Sequence, residues 1–132
     1  MSPLKNLAAL VATTVCLAPL ALALDASPAH ARGDDDVIRR GDCTGSATWK
    51  LKVKTDDGRL EVEGEIDSNR TGQRWAWTLR HNGSVSARGT GTTAGPSGSF
   101  DVERRVVDLA GTDHLRFRAT HNGQVCVGVV NY

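Results

Sequence analysis

The sequence is poor in the side chains that carry chemistry. In 132 residues it has three cysteines, one methionine, two phenylalanines, one tyrosine and three tryptophans. There is no Gly-x-Ser-x-Gly elbow, and no nucleophile sits beside a base in a recognisable pattern. No carboxylate pair is spaced for glycosidic chemistry either, so the chain reads as a non-enzyme. No cofactor motif occurs, and none is expected to bind. An excess of one charge is also missing. The formal net charge is +1, which gives no electrostatic case for a nucleic acid or an anionic membrane. Beyond Leu24 no apolar run is long enough to span a bilayer.

What is present begins with an address. Lys5 precedes an apolar stretch, Leu7 to Leu24, interrupted by Thr13, Thr14 and Pro19. Ala29-His30-Ala31 then forms a small-x-small cleavage site. Residues 1–31 are therefore predicted to be a signal peptide, and the mature chain a secreted, extracellular protein. Val15 before Cys16 is too bulky for a lipoprotein signal. Loss of Lys5 and Asp25 with the leader leaves the net charge unchanged.

Residues 32–42 read as a charged, mobile N-terminal arm. It contains two Arg-Gly-Asp triplets, Arg32-Gly33-Asp34 and Arg40-Gly41-Asp42, and the acidic run Asp34-Asp35-Asp36. In a chain rich in Arg, Gly and Asp such triplets arise by accident, and three adjacent carboxylates lack the spacing of a built calcium site. Cys43 and Cys126 remain, and in an oxidising compartment they are expected to form a disulfide. Closing so long a loop is worth about 4–5 kcal/mol in the chain-entropy model.

The rest of the mature chain alternates in twos. Ala47, Trp49, Leu51 and Val53 share one face, with Thr48 and three lysines on the other. After Asp57-Gly58, a two-residue hairpin signal, Leu60, Val62, Gly64 and Ile66 alternate with glutamates. That turn sets Lys54 against Glu61, Lys52 against Glu63, Lys50 against Glu65, Val53 against Val62 and Trp49 against Ile66. Charges and apolar faces agree with the register that the turn alone chooses.

Trp75, Trp77 and Leu79 form the next inward face, followed by His81-Asn82-Gly83 and the run Val85, Ala87, Gly89. A three-residue loop with Gly83 left-handed would pair Leu79 with Val85, Trp77 with Ala87 and Trp75 with Gly89. Phe100 and Val102 begin a fifth strand, whose alternation breaks at Arg104-Arg105. Leu115, Phe117 and Ala119 give a sixth. After His121-Asn122-Gly123, a seventh places Val125, Val127 and Val129 inward. On that phase Cys126 faces outward, while counting back from Trp49 puts Cys43 inward. Either residues 43–46 bend, or a bulge lies between Gly123 and Cys126.

Seven short strands predict a single all-β sandwich over residues 43–132. Its size, its hairpins and the turn Asp108-x-Ala110-Gly111 before the sixth strand resemble immunoglobulin-like domains. The cysteines depart from the antibody pattern, lying in the first and last strands, and no Tyr follows the Ala-Gly turn. Composition and leader together resemble small secreted proteins of high-GC actinobacteria. The resemblance implies location and fold, not activity.

Trp49, Trp75, Trp77 and Phe117 are assigned to the core, because a sandwich this poor in rings needs them inside. A sugar-stacking platform of tryptophans is the competing reading. His81 and His121 fall at opposite ends of the sandwich, so they build no joint metal site and read as solvated turn residues. The expected function is non-catalytic binding of an extracellular protein or small ligand by a monomer, without nucleic acid. The end carrying residues 67–73, 92–98 and 121–123 offers Asn69, Arg70, Gln73 and Asn122 as binding residues. A secreted protease inhibitor is the alternative, with Gly95-Pro96-Ser97 or Arg104-Arg105 as reactive segment; a small-molecule or carbohydrate carrier is another.

Overall fold

Two antiparallel four-stranded sheets are packed face to face in the computed structural model, which describes residues 36–132. The segment assigned to the signal peptide, Cys16 and the first Arg-Gly-Asp triplet lie outside the described residues. The strands are β1 (Val37–Asp42), β2 (Thr48–Asp56), β3 (Arg59–Asp67), β4 (Arg74–His81), β5 (Ser84–Thr92), β6 (Ser99–Val107), β7 (His114–His121) and β8 (Gln124–Asn131). One sheet runs β1-β2-β3-β6 and the other β5-β4-β7-β8. The chain crosses between sheets after β3, β5 and β6. Without β1, three strands face four in an immunoglobulin-like arrangement.

The described residues form eight strands rather than seven. The additional one is β1, which occupies half of the segment expected to be a mobile arm. It pairs along its length with β2, from Val37 opposite Val53 to Asp42 opposite Thr48. The second Arg-Gly-Asp triplet is thus strand backbone, with Gly41 opposite Trp49. The charged residues hid β1 because an edge strand with one solvated face can carry them without cost.

The β2–β3 hairpin has the register that its turn dictates, with Lys54 opposite Glu61 and Trp49 opposite Ile66. Asp57 and Gly58 both have positive φ, 48° and 72°, as a two-residue mirror-image turn requires. Asn82-Gly83 and Asn122-Gly123 repeat this geometry. The β4–β5 loop therefore has two residues, not three: His81 pairs with Ser84. A bulge at Leu79/Arg80 then shifts the ladder, so that Leu79 meets Ala87, Trp77 meets Gly89 and Trp75 meets Gly91. The extra residue, Ser86 on β5, brings Ala87, Gly89 and Gly91 into line with the inward residues of β4, and each tryptophan lies beside a glycine.

The core holds Leu51, Val53, Leu60, Val62, Ile66, Trp75, Trp77, Leu79, Leu115 and Phe117. Trp75 is fully buried and Trp77 is 4% exposed, so neither offers a sugar platform. Trp49 is half-buried at the rim between β1 and β8. A Cβ at Gly41 would lie 2.7 Å from its ring, and one at Gly128 2.6 Å. At the opposite rim the Arg104 guanidinium covers Trp77, 5.0 Å from the ring centroid.

Cys43 and Cys126 are disulfide-bonded. The phase of β8 is the reverse of the one expected from its valines. Cys126, Gly128 and Val130 point inward, while Val125, Val127 and Val129 lie on the outer face. Residues 44–46 bend, letting Thr44 N–H donate to Val125 O at 2.8 Å. That bend brings Cys43 to an inward-facing Cys126.

Candidate functional site

Two surfaces emerge, one at the disulfide end and one on a sheet face. At the disulfide end, crossings of the chain meet the β7–β8 hairpin. Thr93 organises them: its N–H donates to Gln73 O at 2.9 Å, and its Oγ1 donates to Arg70 O at 2.5 Å while accepting from Gln73 N–H at 2.9 Å. Ser68 Oγ donates to Gly98 O at 3.2 Å, and Ala47 N–H donates to Gln124 Oε1 at 2.7 Å. His121 Nδ1 donates to Arg74 O at 2.7 Å, and its ring leans on Trp75 with centroids 5.3 Å apart.

These contacts frame a polar recess of about 250 Å³ lined by Ser68, Arg70, Gln73, His121, Asn122 and Gln124, with Ser46 at its margin. Of the four binding residues read from sequence, Arg70, Gln73 and Asn122 meet here, and Asn69 does not line the recess. Gln73 Oε1 is buried without a hydrogen-bond partner among the described residues.

His81 and His121 do occupy opposite ends, but His81 is no solvated turn residue. It is 9% exposed, with Nε2 against the carboxylate of Asp113, itself 1% exposed. Asp113 exchanges backbone hydrogen bonds with Tyr132, whose hydroxyl accepts from Thr55 N–H at 3.0 Å. His81 thus serves to anchor a crossing loop. No group of three or more His, Cys, Asp or Glu is placed to hold a metal among the described residues. Arg104 and Arg105, one of the two segments considered for an inhibitor, lie within β6 rather than on a loop.

The second surface is the outer face of β5-β4-β7-β8. Along these strands the outward residues are Arg74, Ala76, Thr78 and Arg80 on β4, and His114, Arg116, Arg118 and Thr120 on β7. Val125, Val127 and Val129 border them on β8, and Arg88 stands on β5. None of the four strands contains an Asp or a Glu. The register makes Arg80 face Arg116, and puts Thr78 between Arg88 on one side and Arg118 on the other. A depression of about 270 Å³ is lined by Thr78, Arg80, Arg116 and Arg118.

The opposite sheet is different in kind. Lys50 bonds Glu63 at 3.2 Å and Glu65 at 3.3 Å, Lys54 bonds Glu61 at 3.3 Å, Lys52 bonds Asp36 at 3.1 Å, and Arg105 pairs with Asp56. Partial burial works to lower the Lys50 pKa, but its two glutamates outweigh that and hold it above the ordinary lysine value. The hydrogen bond and charge of Glu61 do the same for Lys54. No arginine of the outer β5-β4-β7-β8 face has a carboxylate partner among the described residues. The near-zero net charge therefore hides an ion-paired sheet and a bare cationic one, offset by acids outside the strands such as Asp57, Asp108 and Asp113. The signal was legible in four strands without an acid, but whole-chain charge concealed it.

No protein family, characterised protein or solved structure matches the chain.

Proposed function

We propose that this is a secreted, non-catalytic binding module that takes an anionic extracellular partner on the outer face of β5-β4-β7-β8. The observation that carries the reading is the set Arg74, Arg80, Arg88, Arg116 and Arg118 on strands without a single acid. Like charges in direct opposition across a ladder cost stability, as Arg80 and Arg116 do, and no carboxylate among the described residues pairs with them to offset that cost. A bound polyanion would. The leader read from sequence supplies the extracellular setting, and the disulfide accords with it.

The test compares binding of the oxidised domain to dextran and to dextran sulfate over a range of salt. Retention on dextran sulfate alone, weakening steeply with salt and lost in Arg88→Glu/Arg118→Glu, is the expected result. A Lys52→Glu control on the opposite face should bind as wild type does. Equal loss in the control, or binding indifferent to the double variant, would sink the reading.

The buried, unpartnered Gln73 Oε1 favours a second reading, in which the disulfide-end recess takes a small polar ligand. Its size suits a group smaller than the usual drug-sized ligand.

A further inference from the structure

We infer that Thr78, Arg80, Arg116 and Arg118 form a discrete subsite for a tetrahedral oxyanion, the sulfate or phosphate ester of an extracellular polysaccharide. The inference rests on the anion-binding reading above and gives it a ligand class. The four residues line one depression of about 270 Å³. Arg80 and Arg116 lie directly opposite each other on β4 and β7, and Arg118 follows two residues on, opposite Thr78. Three guanidinium side chains and one hydroxyl thus border a single depression. Arg116 is half-buried while Arg118 and Arg80 are exposed, so the depression has a floor and open walls.

Nearly all the donor capacity here is unused. Each guanidinium offers five N–H donors, and among the described residues the one hydrogen bond these three side chains make is Arg80 Nη1 to Gly83 O at 3.1 Å. A planar carboxylate is satisfied by a single guanidinium fork. A tetrahedral group presents oxygens in several directions and can engage three forks together. The surroundings choose the carrier. The outward residues of the face include no Phe, Tyr or Trp on which a base could stack, which disfavours a single-stranded nucleic acid. Val127 and Val129, opposite Arg118 and Arg116 on β8, give a low apolar margin beside the charges. A sugar ring carrying the ester could lay its C–H face there.

The experiment titrates the oxidised domain against dextran sulfate, phosphomannan, polygalacturonate and single-stranded DNA at one ionic strength. Wild type should bind the two ester-bearing polymers at least about tenfold more tightly than the polycarboxylate, as multidentate charge-assisted bonds predict. Arg116→Lys/Arg118→Lys keeps the charge and removes the forks. It should retain salt-sensitive binding while the tenfold preference collapses. Circular dichroism verifies that the variant is folded, and Arg80→Lys serves as the second variant should it not be. Equal binding of wild type to esters and carboxylate overturns the subsite but leaves the anion-binding face standing. Tighter binding to DNA than to the polysaccharides overturns the assigned carrier. Binding to none of the four overturns both the subsite and the reading on which it rests.

Discussion

Trp49 owes its place to two residues that have no side chain. Its indole lies between Gly41 and Gly128, and a Cβ on either would press into the ring at 2.7 or 2.6 Å. Gly128→Ala must therefore push a large ring outward or push β8 away from it. Overpacking of this kind costs about 1–3 kcal/mol. Urea denaturation followed by tryptophan fluorescence should show the midpoint falling without a change in slope. An unchanged midpoint would mean that the indole simply swings into solvent. The arginines obey the opposite rule at the same scale. They have no carboxylate partner among the described residues, so replacing Arg118 should leave stability unchanged or slightly improved while binding is lost. Where a charge does have partners, as Lys50 has in Glu63 and Glu65, its role is structural.

The strands divide into those whose neighbours speak for them and those whose neighbours are silent. β2 and β3 were legible to the residue, because a turn, three opposite-charge positions and the apolar faces all name one register. β8 was not. Its inward residues are Cys126, Gly128 and Val130 and its outward ones Val125, Val127 and Val129, so hydrophobicity points to the wrong face. Only the disulfide partner and the room that Gly128 leaves for Trp49 decide the phase, and both are contacts distant in sequence. The bulge at Leu79/Arg80 is silent for the same reason: it restores the alternation that would have betrayed it. Of the candidate site, the disulfide-end residues were legible as turn chemistry. The arginine face needed the sheet order, which sets Arg80 beside Arg116. β1 yields a test at this scale. If Val37–Asp42 is an edge strand as described, amides along it exchange with solvent markedly more slowly than those of a free arm, in hydrogen–deuterium exchange of the oxidised domain. Exchange at the unprotected rate throughout the segment would return it to an arm.

For the whole molecule, the disulfide spans a sequence separation of 83 residues. A domain of this size has a total stability of about 5–15 kcal/mol. Cys43→Ser/Cys126→Ser should lose about 4–5 kcal/mol of that on the chain-entropy account. The variant should melt far below the oxidised protein in calorimetry; a shift of only a few degrees would mean that the sheets alone carry the fold. Charge is also distributed at this scale. One sheet neutralises itself with ion pairs and the other is left cationic, so the molecule presents two unlike sides to any surface it approaches. An anionic polymer would orient it with the ion-paired sheet outward.

The bridge between Cys43 and Cys126 also decides what happens under tension. Force applied between residue 36 and residue 132 enters along β1, passes through the sulfur–sulfur bond and leaves along β8. Everything between the cysteines is bypassed. Held at those two residues, the oxidised chain could be drawn out to no more than its short flanking segments allow, roughly 50 Å end to end. In a reducing medium the same pull would draw out the whole sandwich. Oxidised, the domain is mechanically a short leash with a rigid bead on it, its sheets spared while the flanking strands are strained.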